Sequence, residues 1–388
     1  MIRSLVRSAI GLAPVLVFAG LLSGCGEPEP VRIGVLVPDT GPASSYGKSI
    51  RQGIDLAVKE INESGGVLGG SPIETIYRDT GTNVETAKIA FHELVETDQV
   101  WAIIGPVSSS VARGLAPLAT QAKTVLLSPA ASSPTLTSEG GKYFFRNYPS
   151  DVVEGYTMAE FCRKLALASV AVVAADDLFG QGIADIFTRK YEAPTRKVAL
   201  RIDFSSPLDE KRAEEIARKI ARSGAEAVYI AAYQPDVAAL LVTLDRLGVK
   251  VPRLATSAVT GEIVRLAGKA AEHLVFPQSA FDPHADDPKV RAFVEAYKAA
   301  YGEEPDNFAA HAYDAAHVLA AAIDKAQIRS QLTGELWNIR YEGVTGNIDF
   351  DLNGDVVQAP RLYAVFHGEV VPYSEFREAM VGRSILAR

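Results

Sequence analysis

The chain contains the stretch Val100-Trp-Ala-Ile-Ile-Gly-Pro-Val-Ser108-Ser109-Ser110 and, shortly after it, Thr124-Val-Leu-Leu-Ser-Pro-Ala-Ala131-Ser132-Ser133-Pro134. In each stretch a short apolar run, typical of a buried parallel strand, ends at proline and small hydroxyl residues. The segment between them, Val111 to Ala122, is rich in alanine and leucine and predicts a helix. Because parallel strands joined by a helix end at the same edge of a sheet, we expect the two serine-rich turns to lie side by side.

Together, the two turns favour the binding of a small anionic group. Backbone N–H groups at the start of a helix and serine hydroxyls form a set of donors suited to a carboxylate. Ser108 to Ser110 could instead only cap the following helix, but the second turn at Ser132 favours binding. No base stands beside these serines in the sequence. We therefore expect the site to hold a ligand rather than to attack one.

The amino terminus predicts export. Two arginines precede an apolar run of fourteen residues, Ala9 to Leu22, which is too short to span a bilayer and has the layout of a secretory signal. The run leads into Leu22-Ser-Gly-Cys25, which resembles the bacterial lipobox, where cleavage leaves a lipidated cysteine as the first residue. We predict a lipoprotein signal peptide at residues 1–24, a lipid on Cys25 and a short tether at residues 25–30. The alternative is an ordinary signal peptide in which this cysteine has no role.

Composition excludes several classes of protein. Removal of residues 1–24 leaves 364 of the 388 residues, a length that suggests two domains, and changes the formal net charge from −8 to −10 because two arginines are lost. An acidic chain without a basic cluster argues against nucleic-acid binding. Besides Cys25 there is only Cys162, so we expect no structural disulfide. No further stretch is long and apolar enough to cross a bilayer.

Strand and helix patterns alternate along the rest of the chain in two series. Strands are predicted at Val31–Val37, Ile73–Tyr77, Val170–Ala174, Val198–Phe204, Ala227–Ala231 and Arg253–Thr256, and helices at Val84–Val95, Val152–Leu165, Gly182–Glu192, Asp209–Ser223 and Asp236–Leu247. This pattern predicts an α/β fold with parallel sheets covered by helices on both faces, arranged in two similar lobes. Near the end, Thr345 to Val356 and Arg361 to Phe366 are predicted to form a hairpin-like pair of strands.

In these features the chain resembles extracytoplasmic solute-binding proteins of the type I periplasmic-binding fold. It resembles most closely the branched-chain amino-acid-binding family of ABC importers. The motifs that carry the resemblance are spread over nearly all of the chain: Ile33-Gly-Val-Leu-Val-Pro-Asp-Thr-Gly41-Pro42, Tyr46-Gly47, Ile104-Gly-Pro-Val-Ser-Ser109, Ser128-Pro-Ala-Ala-Ser-Ser-Pro134, Phe145-Arg146 with Ser150-Asp151, and Gly346 to Gly354. Together these motifs are specific for the family, but they do not identify the ligand.

The resemblance implies two Rossmann-like lobes with parallel sheets, joined by a three-crossing hinge, with the ligand clamped between them. Lobe one would comprise residues 31–148 plus about 279–350, and lobe two residues 149–278 plus about 351–388. The implied function is that of a receptor that delivers a small molecule to the permease of an ABC importer. No catalytic residue, cofactor or metal is implied, and we expect a monomer.

The resemblance also implies roles for individual residues. The ligand carboxylate would be held by the hydroxyl and N–H groups of Ser109 and Ser132, and the ligand ammonium partly by the carbonyl of Ala130. Asp151 is expected to cap its helix and is a further candidate for contact with the ligand. Four aromatic residues would form the walls of the site, although large aromatic residues also commonly pack in cores: Tyr46, Phe179, Tyr233 and Phe308.

One departure from the family pattern bears on the ligand. In the amino-acid binders a lobe-two carboxylate near the position of Thr256 usually accepts the ammonium, whereas here the stretch is Ala255-Thr-Ser-Ala-Val259 and the next acid is Glu262. An unpaired ammonium in a closed cleft would be costly. Either a neighbouring residue supplies the acid or the ligand lacks an amino group. An apolar amino acid and an aromatic or aliphatic carboxylate therefore both remain open.

Two classes of function follow. The first is a lipid-anchored receptor at the outer face of a membrane that supplies an importer, and the second is a sensing module for a signalling partner, since this fold also serves sensors. The sequence contains no attached signalling domain, which favours transport. An enzyme is disfavoured because neither a nucleophile elbow nor a His-Glu-x-x-His motif is present. The acidic stretches at 282–287 and 351–355 are predicted to be turns rather than metal sites.

Overall fold

The computed structural model describes residues 28–386 except residue 280. The predicted signal peptide at 1–24 and its neighbour Cys25 lie outside the described residues. None of the helices in the described part of the chain is both long and apolar enough to cross a membrane.

A five-stranded parallel sheet forms the centre of the first lobe. Its strands are β1 (Val31–Val37), β2 (Ile73–Asp79), β3 (Ala102–Ile104), β4 (Val125–Ser128) and β5 (Phe144–Arg146), and the helices between them are α1 (Gly47–Glu63), α2 (Val84–His92), α3 (Ser109–Ala122) and α4 (Leu136–Glu139). In space the strands follow the order β2-β1-β3-β4-β5. Since β3 and β4 pair in parallel, the two serine-rich turns leave the same edge of the sheet, as predicted.

A seven-stranded sheet forms the centre of the second lobe. The elements after β5 are, in chain order, α5 (Asp151–Lys164), β6 (Ser169–Ala175), α6 (Leu178–Tyr191), β7 (Lys197–Phe204), α7 (Glu210–Arg222), β8 (Ala227–Ala231), α8 (Gln234–Arg246), β9 (Arg253–Ala255), α9 (Glu262–Ala267), β10 (Val275–Gln278), α10 (Pro288–Tyr301), α11 (Asn307–Ala326), α12 (Leu332–Trp337), β11 (Arg340–Gly343), β12 (Gly346–Asp349), β13 (Arg361–Phe366), β14 (Glu369–Pro372) and α13 (Tyr373–Leu386). The strand order is β14-β13-β10-β9-β8-β6-β7. The two-lobed α/β fold is confirmed, with β13 and β14 added as antiparallel strands at one edge.

The segment that contains α10, α11 and α12 returns to the first lobe, where α11 packs along α1. The two helices approach so closely that a Cβ atom on Gly53 would stand 2.2 Å from the carbonyl oxygen of Ala309. The chain therefore passes between the lobes three times: after β5, after β10 and before β13.

Two helices begin earlier than the sequence predicts. The helices predicted at Gly182–Glu192 and Asp236–Leu247 begin as α6 and α8 at Leu178 and Gln234, four and two residues sooner. The side chain of Asp177 caps α6 by accepting the N–H of Gly180 at 2.8 Å. Pro235 occupies the first turn of α8, where the absence of an N–H costs nothing.

The predicted pairing of Thr345–Val356 with Arg361–Phe366 is wrong. Instead β12 forms a hairpin with β11, whereas β13 lies between β10 and β14 in the other lobe. The reason is that Asp355, near the end of the first predicted strand, is held at the end of β5 by a single parallel bridge to Arg146. The chain is thereby directed from one lobe into the other instead of turning back on itself.

A buried ion pair fixes this third crossing. The Arg146 side chain is 0% exposed, and its Nε and Nη2 atoms donate to the two carboxylate oxygens of Asp355 at 2.6 and 2.7 Å. Thr137 Oγ1 accepts from Arg146 Nη2 and donates to Asp355, each at 2.7 Å. Gly354 takes a positive φ of 78°, and a Cβ atom there would stand 2.5 Å from the carbonyl oxygen of Phe144. Backbone and side chains thus hold the crossing together.

We expect Asp355→Asn to destabilise the protein by about 3–5 kcal/mol, because the change leaves a buried guanidinium without its counter-charge. Urea unfolding followed by circular dichroism measures the effect. The control is Glu74→Gln, which breaks the Arg32–Glu74 pair, whose side chains are half exposed; its cost should be at most about 1 kcal/mol. Equal shifts for the two variants would contradict the structural role of Asp355.

Candidate functional site

A small cavity lies between the two lobes, where the carboxyl ends of strands from both sheets meet. About 340 Å³ of empty space, part of it open to solvent, lies between the lining side chains. The lining residues are Tyr46, Val107, Ser109, Ala130, Ser132, Tyr148, Phe179, Tyr233, Ser257, Ala258 and Phe308. The structure thus brings together seven of the eight residues that the sequence proposes for ligand contact. In open α/β sheets this edge is the usual position of a binding site.

The two serine-rich turns are joined by hydrogen bonds on the first-lobe side of the cavity. The hydroxyl of Ser109 accepts the N–H groups of Ser132 and Ser133 at 3.3 and 3.1 Å. Below them, the Ser128 hydroxyl donates to the carbonyl of Pro106 at 2.7 Å and accepts the N–H of Ala131 at 2.9 Å. The turns therefore form one unit with polar groups aimed at the cavity.

Helix capping does not explain the first turn. Ser108 stands at the capping position of α3, but its side chain makes no capping hydrogen bond. Its hydroxyl instead lies 3.5 Å from the hydroxyl of Tyr233 in the other lobe. The first N–H groups of α3 are thus left uncapped by Ser108 beside the cavity, where they are suited to an anionic ligand group.

The aromatic residues both pack with one another and line the cavity. The Tyr46 ring centroid lies 4.7 Å from that of Phe308 and 6.2 Å from that of Tyr233, and the Phe179 and Tyr233 rings stack at 5.5 Å. Tyr148 stacks on Phe308 at 5.6 Å with nearly parallel planes. Because the rings come from both lobes and are all buried, they form a continuous apolar wall across the lobe boundary.

The hydroxyl of Tyr46 connects this wall to the second lobe. It donates to the carbonyl of Ala258 at 2.9 Å and accepts the N–H of Gln234, the first residue of α8, at 2.8 Å. Burial raises the pKa of Tyr46 well above its usual range, so the group stays neutral and can donate. These bonds join groups of opposite lobes, and the structure is accordingly a closed form.

Asp151 is the one proposed contact that does not line the cavity. It is not the capping residue either: Ser150 precedes α5 at that position and Asp151 is its first helical residue. The Asp151 N–H donates to the carbonyl of Ser132 at 2.9 Å, so this residue anchors α5 to the second serine turn. Burial, followed by the nearby carboxylate of Glu154, raises the pKa of Asp151 well above its usual range.

Sequence reasoning missed four lining residues: Val107, Tyr148, Ser257 and Ala258. The rule that selected the serine turns, namely that residues following parallel strands meet at one sheet edge, also applies to Tyr148 after β5 and to Ser257 after β9. The signal was therefore present for both.

A metal site requires several metal-ligating side chains arranged around one point. Within the described part of the chain, no group of three or more histidine, cysteine, aspartate or glutamate side chains is arranged to hold a metal ion.

Comparison with known proteins agrees with this geometry. A model of the periplasmic binding protein family matches residues 30–367. The leucine-, isoleucine-, valine-, threonine- and alanine-binding protein of Pseudomonas aeruginosa is 28% identical over 351 residues, which cover 89% of this chain and 92% of that protein. Among solved structures, the leucine-binding protein LivK of Thermotoga maritima is 30% identical with a TM-score of 0.81, covering 88% of this chain and 97% of that one. LivJ of Streptococcus pneumoniae, solved in complex with isoleucine, is 27% identical with a TM-score of 0.82, covering 88% and 98%.

Proposed function

Because the chain belongs to the periplasmic binding protein family, and is therefore a solute receptor rather than an enzyme, we propose that it binds a small apolar amino acid between its lobes and delivers it to an ABC importer. The observation that carries this proposal is the cavity itself, in which polar serine turns face aromatic walls. The serine turns support a carboxylate group in the ligand, and the aromatic walls support an apolar side chain.

The serine turns support the carboxylate. Ser109 and Ser132 supply hydroxyl groups at the cavity, and the start of α3 supplies N–H groups and the positive end of a helix dipole. The carbonyl of Ala130, also in the lining, is suited to accept from an ammonium. Ligand sites of this kind are mostly apolar, with a few polar groups that orient the ligand.

The aromatic walls support an apolar side chain, and relatives support the amino-acid class. The similar proteins described above carry names or ligands of branched-chain amino acids. The alternative ligand is an aromatic or aliphatic carboxylate without an amino group. It is favoured by one observation: the lining residues Ser257 and Ala258 stand where an acid is expected and carry none.

For the lobes we propose the boundaries that the family resemblance implies. Lobe one takes residues 31–148 plus about 279–350, and lobe two takes residues 149–278 plus about 351–388. The sheet memberships of β1 to β5 and of β6 to β10 support this division. The hydrogen bonds of Tyr46 exist only when the lobes are closed, so we infer hinge closure around the ligand.

We expect a thermal-shift screen to show stabilisation by leucine, isoleucine, valine or phenylalanine. A ligand that binds only the folded form raises stability by RT ln(1 + [L]/Kd), about 2.7 kcal/mol at one hundred times Kd. The deaminated acids are screened in parallel. Shifts for the deaminated acids alone would exclude the amino-acid ligand but retain the carboxylate, and shifts only for sugars or uncharged amides would exclude both.

We expect Ser132→Ala to weaken binding of the ligand found in that screen by about tenfold to hundredfold, since a hydrogen bond to a charged group contributes about 1.5–3 kcal/mol. Calorimetry measures the affinity. Ser132 is preferred to Ser109, because Ser109→Ala removes the acceptor for two turn N–H groups, whereas Ser132→Ala removes one side-chain contact, with Asp151. Ser138→Ala, an exposed serine near the same turn, is the control, and equal affinity in all three proteins would remove Ser132 from the site.

We further propose that the mature protein is anchored to a membrane by a lipid on Cys25. Family membership supports export, and the anchor rests on the sequence Leu22-Ser-Gly-Cys25. In Cys25→Ser we expect loss of lipid labelling, altered processing of the precursor and loss of membrane anchoring of the processed protein, all measured by cell fractionation and gel mobility. Cys162→Ala serves as the control. Unchanged processing and membrane attachment in Cys25→Ser would exclude the lipid anchor.

A further inference from the structure

The structure places a carboxylate beside the segment from which the ammonium-binding acid is missing. The N–H of Ser257, a cavity-lining residue, donates to Oε1 of Glu154 at 2.9 Å. Glu154 lies in the first turn of α5 and is 6% exposed. It comes 103 residues before Ser257 in the chain, so the contact is invisible in local sequence.

Glu154 lines a second, smaller cavity that adjoins the first. We call it the side chamber; it is lined by Tyr148, Pro149, Ser150, Val153, Glu154, Ser257, Ser279 and Pro360. Tyr148 and Ser257 line both cavities, so the side chamber lies next to the ligand cavity and shares these two residues with it. Its empty space of about 240 Å³, part of it open to solvent, is smaller than that of the main cavity.

The side chamber contains polar groups that need a polar occupant. Among the described residues, the hydroxyls of Ser150 and Ser279 have no hydrogen-bond partner, although Ser279 is only 3% exposed. Neither carboxylate oxygen of the neighbouring Asp151 has a hydrogen bond of ordinary geometry, although the Ser132 side chain is close enough to lower the Asp151 pKa. Buried polar groups are nearly always paired in proteins, so these groups are available to a polar partner, either ordered water or a polar group of the ligand.

The buried carboxyl groups of this region would be stabilised in their ionised form by a nearby cation. Burial raises the pKa of Glu154 to about 7, against the lowering effect of its contacts with Ser257. Burial, followed by Glu154, raises the pKa of Asp151, three residues earlier on the same helix, well above its usual range. Arg146, which lowers the pKa of Asp151, is already bound to Asp355. A cationic group that entered the side chamber would therefore meet Glu154, whose carboxyl group accepts a hydrogen bond from Ser257.

The second serine turn is linked to the helix that carries Glu154. Asp151 at the start of α5 donates its N–H to the Ser132 carbonyl, and Glu154 follows three residues later in the first turn of the same helix. A ligand whose carboxylate lies at Ser109 and Ser132 therefore binds next to the start of this helix, with Tyr148 and Ser257 among the surrounding lining residues.

We propose that Glu154 is the acid that accepts the ammonium group of the ligand, in place of the absent acid near Thr256, and so selects amino acids over carboxylates without an amino group. This inference rests on the proposed function, because it assumes a ligand with both a carboxylate and an ammonium group. The Ala130 carbonyl would accept a second ammonium proton from the first-lobe side.

The test compares leucine with 4-methylpentanoate, its analogue without the amino group, by calorimetry at pH 8. We expect Glu154→Gln to weaken leucine binding at least tenfold while 4-methylpentanoate affinity stays within about twofold. The amide can still accept the Ser257 N–H, so the local fold is retained. Glu160→Gln on the exposed side of the same helix, where Glu160 pairs with Arg163, is the matched control and should bind both compounds as the unaltered protein does.

The four possible results have distinct meanings. Unchanged leucine affinity in Glu154→Gln would overturn this inference but leave the proposed function intact, as would an equal loss for both compounds, which indicates a structural role. Binding of 4-methylpentanoate but not of leucine or other amino acids by the unaltered protein would overturn the amino-acid proposal itself. Selective loss of leucine binding supports both.

A second readout is the pH dependence of leucine affinity. Glu154 with its raised pKa carries a proton below about pH 7, so leucine affinity should rise between pH 6 and pH 8 and should change little in Glu154→Gln. The other ionisable groups that interact with Glu154 are Asp151, Tyr148 and Tyr229. Arg146 and Asp177 in turn interact with Asp151. The two tyrosines have pKa values raised well above the usual range and do not titrate in this window. Retention of the pH dependence in Glu154→Gln would assign it to Asp151 and overturn the inference.

Discussion

The ion pair between Arg146 and Asp355 is the contact on which the rest of the site depends. Besides binding Asp355, the guanidinium of Arg146 donates to the carbonyl of Ser133 at 2.9 Å. It is therefore also bonded to the second serine turn. The same turn accepts the N–H of Asp151 and thus positions α5. One buried cation therefore connects the third crossing of the chain, the serine turn and the helix that carries Glu154. Buried ion pairs are weak sources of net stability, and the value of this one lies in the positions that it fixes.

The positions at which strands and helices end decide which lining side chains each lobe supplies to the cavity. The first lobe supplies the polar turns after β3 and β4 together with the rings of Tyr46, Tyr148 and Phe308, and the second lobe supplies the rings of Phe179 and Tyr233 after β6 and β8. Neither lobe alone surrounds a ligand. Because the rings of Tyr46 and Tyr233 also pack against each other across the boundary, apolar surface is buried on closure whichever ligand is present, while the polar groups distinguish one ligand from another.

The sequence predicted what depends on local pattern. Strand periodicity, helix faces and the two serine turns predicted the α/β fold and the meeting of Ser109 with Ser132, whereas the family resemblance supplied the other five predicted lining residues. The hairpin at 345–366 was mispredicted because its true course depends on the contact of Asp355 with a residue 209 positions away. Glu154 was overlooked for the same reason: on α5 it is an unremarkable helical glutamate, and only the fold brings it to Ser257. Tyr148 and Ser257 differ, since strand order alone would have placed them at the cavity.

The hydroxyl of Tyr46, which joins the two lobes, bears on how a substitution changes the affinity of this receptor for its solutes. Its two hydrogen bonds to the second lobe do not involve the ligand, so they shift the equilibrium between open and closed protein by the same free energy whatever is bound. Apparent affinity scales with the population of the competent closed state. A change at this hydroxyl would therefore strengthen or weaken the binding of all solutes in parallel, leaving their rank order intact. Capture strength and choice of solute are thus separable properties of this chain, carried by different groups: the Tyr46 hydroxyl acts on closure, whereas the Tyr46 ring and the other lining groups face the solute.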